Sequence, residues 1–174
     1  MALTRRQRVR RVGILCLHCL RNLAFRNAGW KAGSYLRPDE QFWRNVDSNF
    51  LDVAVLEWGK LFAEKKGKHA WHKVVTEQDD FREMLLEAAG MNQPEFDAYA
   101  MEVRAYRDWF IAHLDDRGEM QIPTLRVMRE TSIYLYNYLL EHEDDDGTFF
   151  DGFPRNAGRF YAHFLREGKT VYQE

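Results

Sequence analysis

Arg107 and His113 lie six residues apart in the stretch YRDWFIAHLDD, with Asp108 directly after the arginine. A histidine exchanges protons near neutral pH, and an arginine holds developing negative charge through a fixed fork of donors. An aspartate beside them orients either one by hydrogen bonding. Together these three supply acid–base chemistry plus charge stabilisation. On a helix, six residues correspond to about 9 Å of rise and about 120° of rotation, so Arg107 and His113 do not stack as i,i+4 partners do. Either the long guanidinium swings toward the imidazole, or a second copy of the same helix completes the site across a two-fold axis. Two structural alternatives stand beside this reading. Tyr99, Val103, Tyr106, Phe110 and His113 follow four- and three-residue steps, which makes His113 a candidate core histidine. Asp108 is also placed for an ion pair with Arg104, four residues earlier.

Other residues invite metal chemistry less strongly. His69 and His72 flank Trp71 in KHAWHK without a third ligand at suitable spacing, and Cys16 and Cys19 surround His18 without a second thiol pair. The cysteines read as small packing groups, so no metal site is expected. Asn49 and Glu57 interrupt the apolar rows of their helix and read as buried polar groups that fix helix register, with Arg44, Arg21 or His113 as partners. The chain has no glycine-rich phosphate loop, no GxSxG elbow, no HExxH and no paired CxxC set, and no cofactor is expected.

The elements that must position these residues are helical. A first helix spans about residues 4 to 27, because Val9, Val12, Cys16, Cys19, Leu20 and Leu23 recur at helical spacing. The loop KAGSYLRP follows. A second helix runs from Asp39 as cap to about Ala63, and its two apolar rows (Phe42, Val46, Phe50, Val53 and Trp43, Ala54, Trp58, Leu61) predict a central helix packed on both flanks. A third runs from about Thr76 to Ala89 and stops at Gly90; a fourth starts at Asn92, Gln93 and Pro94 and continues to about Asp116. The fifth extends from Pro123 to about Glu143, where SIYLYNYLL leaves a strand as the alternative and length favours a helix. The acidic link EHEDDDG then leads to a last helix from Pro154 to Glu167. The fold class expected is an all-α bundle of about five to six helices.

At 174 residues the chain fits one domain, residues 1–174, and its 45% hydrophobic, 30% charged and 14% aromatic composition is that of a globular protein. The net charge of -2 conceals an asymmetry: residues 1–38 hold nine of the 25 lysines and arginines and none of the 27 acidic residues. Such a basic end suits a phosphate backbone, an anionic surface, or the acidic body of the same or another subunit. TRRQRVRR before VGILCLHCL has the look of a signal peptide, yet RNLAFRN rather than a small-residue cleavage site follows, and the helical spacing favours an amphipathic helix. No segment is long enough to span a bilayer, and two cysteines imply no disulfide framework, so a cytoplasmic protein without a membrane partner is expected.

The arginine, the polar residue after it and the histidine five residues beyond that resemble the signature of the HEPN superfamily. NFLDVAVLEWGKLF, then HAWHKVV, then YRDWFIAHLDD, resemble in that order its AbiU-type abortive-infection branch, over roughly residues 40 to 142. This resemblance implies a HEPN-like core there, with the basic N-terminal helix and a C-terminal docking helix as extensions. It further implies a homodimer through the motif helix and, in active members, a metal-independent endoribonuclease of phage-defence or toxin-type systems, with an antitoxin or other protein as a further partner. Other members are non-catalytic nucleotide- or protein-binding modules. RNA brings its own nucleophile, the 2′-hydroxyl, so a base or acid and a cation suffice for cleavage. The expectation is that Arg107, Asp108 and His113 are catalytic and that Arg5, Arg6, Arg8, Arg10 and Arg11 hold RNA. In the non-catalytic reading, Phe160, Tyr161 and Phe164 on the last helix engage a partner instead.

Overall fold

The computed structural model describes residues 3–112, 121–144, 147–149 and 152–173. Among these, six α-helices and one two-stranded hairpin are seen, so the chain is an all-α bundle. Helix α1 spans Arg5–Ala28 and begins at a reciprocal cap: the Gln7 N–H donates to Thr4 Oγ1 at 3.2 Å, and the Thr4 N–H donates to Gln7 Oε1 at 3.0 Å. Val9, Val12, Cys16, Cys19, Leu20, Leu23 and Ala24 are fully buried along it.

Helix α2 (Gln41–Trp58) was expected to occupy the centre, and here the structure corrects the sequence reading. Its Phe42 is 69% exposed, and Val46, Phe50 and Val53 are only half-buried, so one of its two apolar rows lies at the edge of the bundle, where Phe50 packs 5.2 Å from the Phe25 ring of α1. The other row holds: Ala54, Trp58 and Leu61 are buried. The spine is α1, which packs along α2, α5 (Leu125–His142) and α6 (Ala157–Gln173). The middle of α1 is apolar almost all round because its arginines gather toward its ends, which lets three helices share it. Asn49 is exposed and needs no buried partner, while Glu57 takes Lys60 Nζ at 3.0 Å. Arg44 donates instead to Gln41, 2.6 Å away.

The expected loop after α1 contains a small antiparallel hairpin, β1 (Trp30–Lys31) and β2 (Ser34–Tyr35), turning at Gly33 with φ +80°. A buried ion pair anchors it: Arg26 Nη1 lies 2.6 Å from Asp47 of α2, its guanidinium stacks 4.3 Å from the Trp30 ring, and Trp30 Nε1 donates to Asp47 at 3.3 Å. Burial pushes the Asp47 carboxyl up, and Arg26 partly offsets it.

Helix α3 (Gln78–Ala89) stops at Gly90 in the left-handed region, φ 67°, as its sequence predicts. Thr76 does not cap it. Its hydroxyl and N–H donate to the buried Glu143, at 2.9 and 2.6 Å, and Glu143 also pairs with Arg5, tying α1, α3 and α5 together. Helix α4 (Gln93–Tyr106) has the Asn92–Glu95 capping box and Pro94 in its first turn. Helix α5 settles the strand alternative for SIYLYNYLL. Helix α6 starts three residues later than expected and runs six further, because Tyr172 docks near its end against Trp43 and Tyr35. Phe164 packs on Phe25 of α1 at 5.5 Å and Tyr161 is buried, so these aromatics cover the chain's own bundle. Among the described residues, no helix is long and apolar enough to cross a membrane.

Candidate functional site

Two π-helical turns meet at the motif. One, Gly59–Ala63, continues α2, and its last bond runs from the Glu64 N–H to the Gly59 carbonyl at 2.9 Å. The other, Arg107–Ala112, continues α4. A π turn adds one residue per turn, re-aims the side chains that follow, and occurs disproportionately at functional sites. Here the first delivers Glu64 and the second begins at Arg107.

The Arg107 guanidinium bridges two carboxylates, Nη1 to Glu64 Oε1 at 2.7 Å and Nε to Asp108 Oδ1 at 2.8 Å. Its side chain is 24% exposed, against 39% for Glu64 and 53% for Asp108, so the cluster lies at the surface. The hydrogen bond that Arg107 donates to Asp108 is the main reason the Arg107 pKa is raised, with partial burial working against it. Asp108 therefore engages Arg107, whereas Arg104 donates back to the Ala100 carbonyl at 3.4 Å. Behind the cluster, the Tyr106 hydroxyl donates to Asp52 Oδ1 at 3.2 Å and ties α4 to α2. Burial raises both groups, Asp52 above the usual carboxylate range and Tyr106 further above a free phenol because Asp52 is its neighbour.

His113, Asp115 and Asp116 lie outside the described residues. The rest of the motif helix exposes apolar surface: Met101 is 63% exposed and Trp109 37%, and both border a cavity of about 470 Å³ with Ala105, Tyr106 and Phe110.

The basic N-terminal residues are distributed rather than gathered on the motif. Arg5 is held by Glu143 and reaches Thr76 at 3.3 Å; Arg6 donates to the Gly147 carbonyl at 2.8 Å. Arg10 lies 5.7 Å from the Phe153 ring, Arg11 is exposed and Arg8 half-buried. The segment 64–70 links Arg8 and Arg11 with the motif. Glu64 at one end binds Arg107, and His69 at the other sits in the field of Arg11, Lys60 and Arg8, which adds to burial in lowering its pKa.

His72 is likewise lowered, mainly by burial and then by Lys73 and Arg82. Among the described residues no three His, Cys, Asp or Glu side chains converge on a metal position. Cys16 and Cys19 are free and buried; burial pushes Cys16 well above a normal thiol and Cys19 up to about 12, so both are packing groups.

Sequence reasoning missed Glu64 and Asp52 as neighbours of the motif. Glu64 sits in the polar run EKKGK, and nothing local marks it out from the lysines around it. No family model, curated protein or solved structure matches the chain.

Proposed function

We propose that the chain is a HEPN-like, metal-independent endoribonuclease of a phage-defence or toxin-type system, acting as a homodimer through the motif helix. The observation that carries this reading is Arg107, partly exposed at the start of a π-helical turn with Asp108 fixing its guanidinium. In the proposed reaction His113 takes the proton of an RNA 2′-hydroxyl, and the freed oxygen attacks the adjacent phosphorus. Arg107 stabilises the charge on the phosphate oxygens, and the 5′-oxygen leaves with the proton that the protonated His113, or its counterpart in the second copy, gives it. The products are a 2′,3′-cyclic phosphate and a 5′-hydroxyl. RNA enters by displacing Glu64 from Arg107. The exposed strip of Met101 and Trp109 supports the second copy, since a dimer would cover it. Arg8 and Arg11 extend the RNA path along segment 64–70.

One observation favours a second reading. Two carboxylates already neutralise Arg107, which suits a non-catalytic module where the motif holds a nucleotide or a protein such as an antitoxin. Mapping the ends of RNA after incubation with the protein separates the two. Cyclic phosphate ends that vanish in His113→Ala support the nuclease; intact RNA bound without cleavage supports the module.

A further inference from the structure

Helix α5 buries one face in the bundle through Val127, Met128, Thr131, Leu135 and Leu139, yet it carries a second apolar stripe. Ile133, Tyr134 and Tyr138 are half-buried and, with Met84 and Ala88 of α3, floor a groove of about 710 Å³ between α3 and α5. The floor is firm, because Phe81 is fully buried beneath it, 5.1 Å from the Tyr134 ring and 4.9 Å from Tyr138. Along α5 the lining runs from Glu130 to His142, which is ~18 Å of helix, or about three turns.

The rim is acidic and uneven. Glu77, Asp80 and Glu141 gather at the end where α3 begins and α5 finishes. Among the described residues, Glu77 and Asp80 make no ion pair, and the only one Glu141 makes is with neighbouring His142 at 3.8 Å. The other end has Glu130 alone, already engaged by Arg129 at 2.5 Å. Their field is felt in the floor: burial first, then Glu143, Glu77 and Asp80, push the Tyr138 phenol up.

We propose that this groove is a docking site for an amphipathic helix of a protein partner, apolar on one face and bearing lysine or arginine toward one end. A groove about three turns long accepts a helix of that length by its apolar i, i+3, i+4, i+7 face. Three carboxylates at one end select cationic residues and set the orientation of the bound helix, and the tyrosine faces offer cation–π contacts to the same residues. The groove is separate from Arg107, so docking does not depend on RNA cleavage.

The test uses the full chain and a labelled synthetic 14-residue peptide with leucines on one helical face and three lysines near one end. Fluorescence anisotropy is expected to show binding that weakens with added salt. It is expected to fall at least about tenfold for a scrambled peptide of the same composition, for a peptide with glutamates in place of the lysines, and for the Glu77→Gln/Asp80→Asn/Glu141→Gln variant. Met84→Arg, which changes the floor, is expected to reduce binding as well, with an unchanged melting temperature confirming the fold in each variant. Equal affinity for the scrambled peptide, or undiminished binding by the triple variant, overturns the proposal. So does a wild-type dimer that Met84→Arg dissociates, since the groove would then belong to a second copy.

Discussion

Arg107 Nη1 lies 2.7 Å from Glu64 Oε1, joining two π-helical turns whose residues are 43 positions apart in the chain. The contact sets the state of the motif. In the proposed nuclease, Arg107 exchanges a carboxylate for a phosphate before it acts on RNA, and the competing group comes from the turn that follows another helix.

Glu64→Gln keeps a hydrogen-bond acceptor and removes the competing charge. RNA affinity and cleavage rate are expected to rise about two- to fivefold, the amount that a partly exposed ion pair contributes. Gel-shift and cleavage assays at fixed salt read both. A fall in both would mean that Glu64 positions Arg107 for RNA rather than masking it.

The Trp58 side chain is fully buried, and its Nε1–H donates to the buried Thr131 hydroxyl at 2.9 Å. Thr131→Val keeps the shape and strands that donor, so urea unfolding should show a loss of about 1–3 kcal/mol. Cleavage per folded molecule should stay unchanged, since both residues belong to the core.

Gly168 of α6 crosses α1 closely: a Cβ there would lie 2.7 Å from Ala28 Cβ and 3.0 Å from the Phe25 ring. Gly168→Ala is expected to cost about 1–3 kcal/mol by forcing the helices apart, despite the higher helix propensity of alanine. Thermal unfolding measures it, and a more stable variant would contradict the close crossing.

Stability should also fall as the solution becomes mildly acidic. His69 and His72 have folded-state pKa values below the ordinary 6.5, so between those values and 6.5 the unfolded chain binds more protons than the folded one. Their contribution is complete above 6.5 and is lost as pH falls through the lowered values. Asp47 and Asp52 have the opposite sign, over a window that begins at 3.8 and runs up to their raised values, and comparison with a histidine variant isolates the histidine contribution. Urea midpoints at pH 7.5 and 5.5 should therefore differ more for wild type than for His69→Gln/His72→Gln.

Local signals made much of the fold legible. Asn92 with Pro94, the stop at Gly90 and the three- and four-residue apolar spacing of α1 each act within a few residues, and they placed the start of α4, the end of α3 and the whole of α1. The features that were missed depend on distant partners. Which flank of α2 is buried depends on where α1 lies, and the hairpin depends on Arg26 meeting Asp47. A π turn has no periodic signature of its own, because a single added residue barely disturbs the apolar spacing. For the same reason Arg107 and Asp108 were legible as candidates, while Glu64 needed the fold to bring it to them.

Cleavage of a defined RNA in the presence of EDTA, followed for wild type, Arg107→Ala and His113→Ala, tests the central claim most directly. Wild type should cut and leave 2′,3′-cyclic phosphate ends, and both variants should lose at least about a hundredfold in rate while remaining folded. RNA left intact by the wild type in EDTA, or cut equally well by both variants, would contradict it.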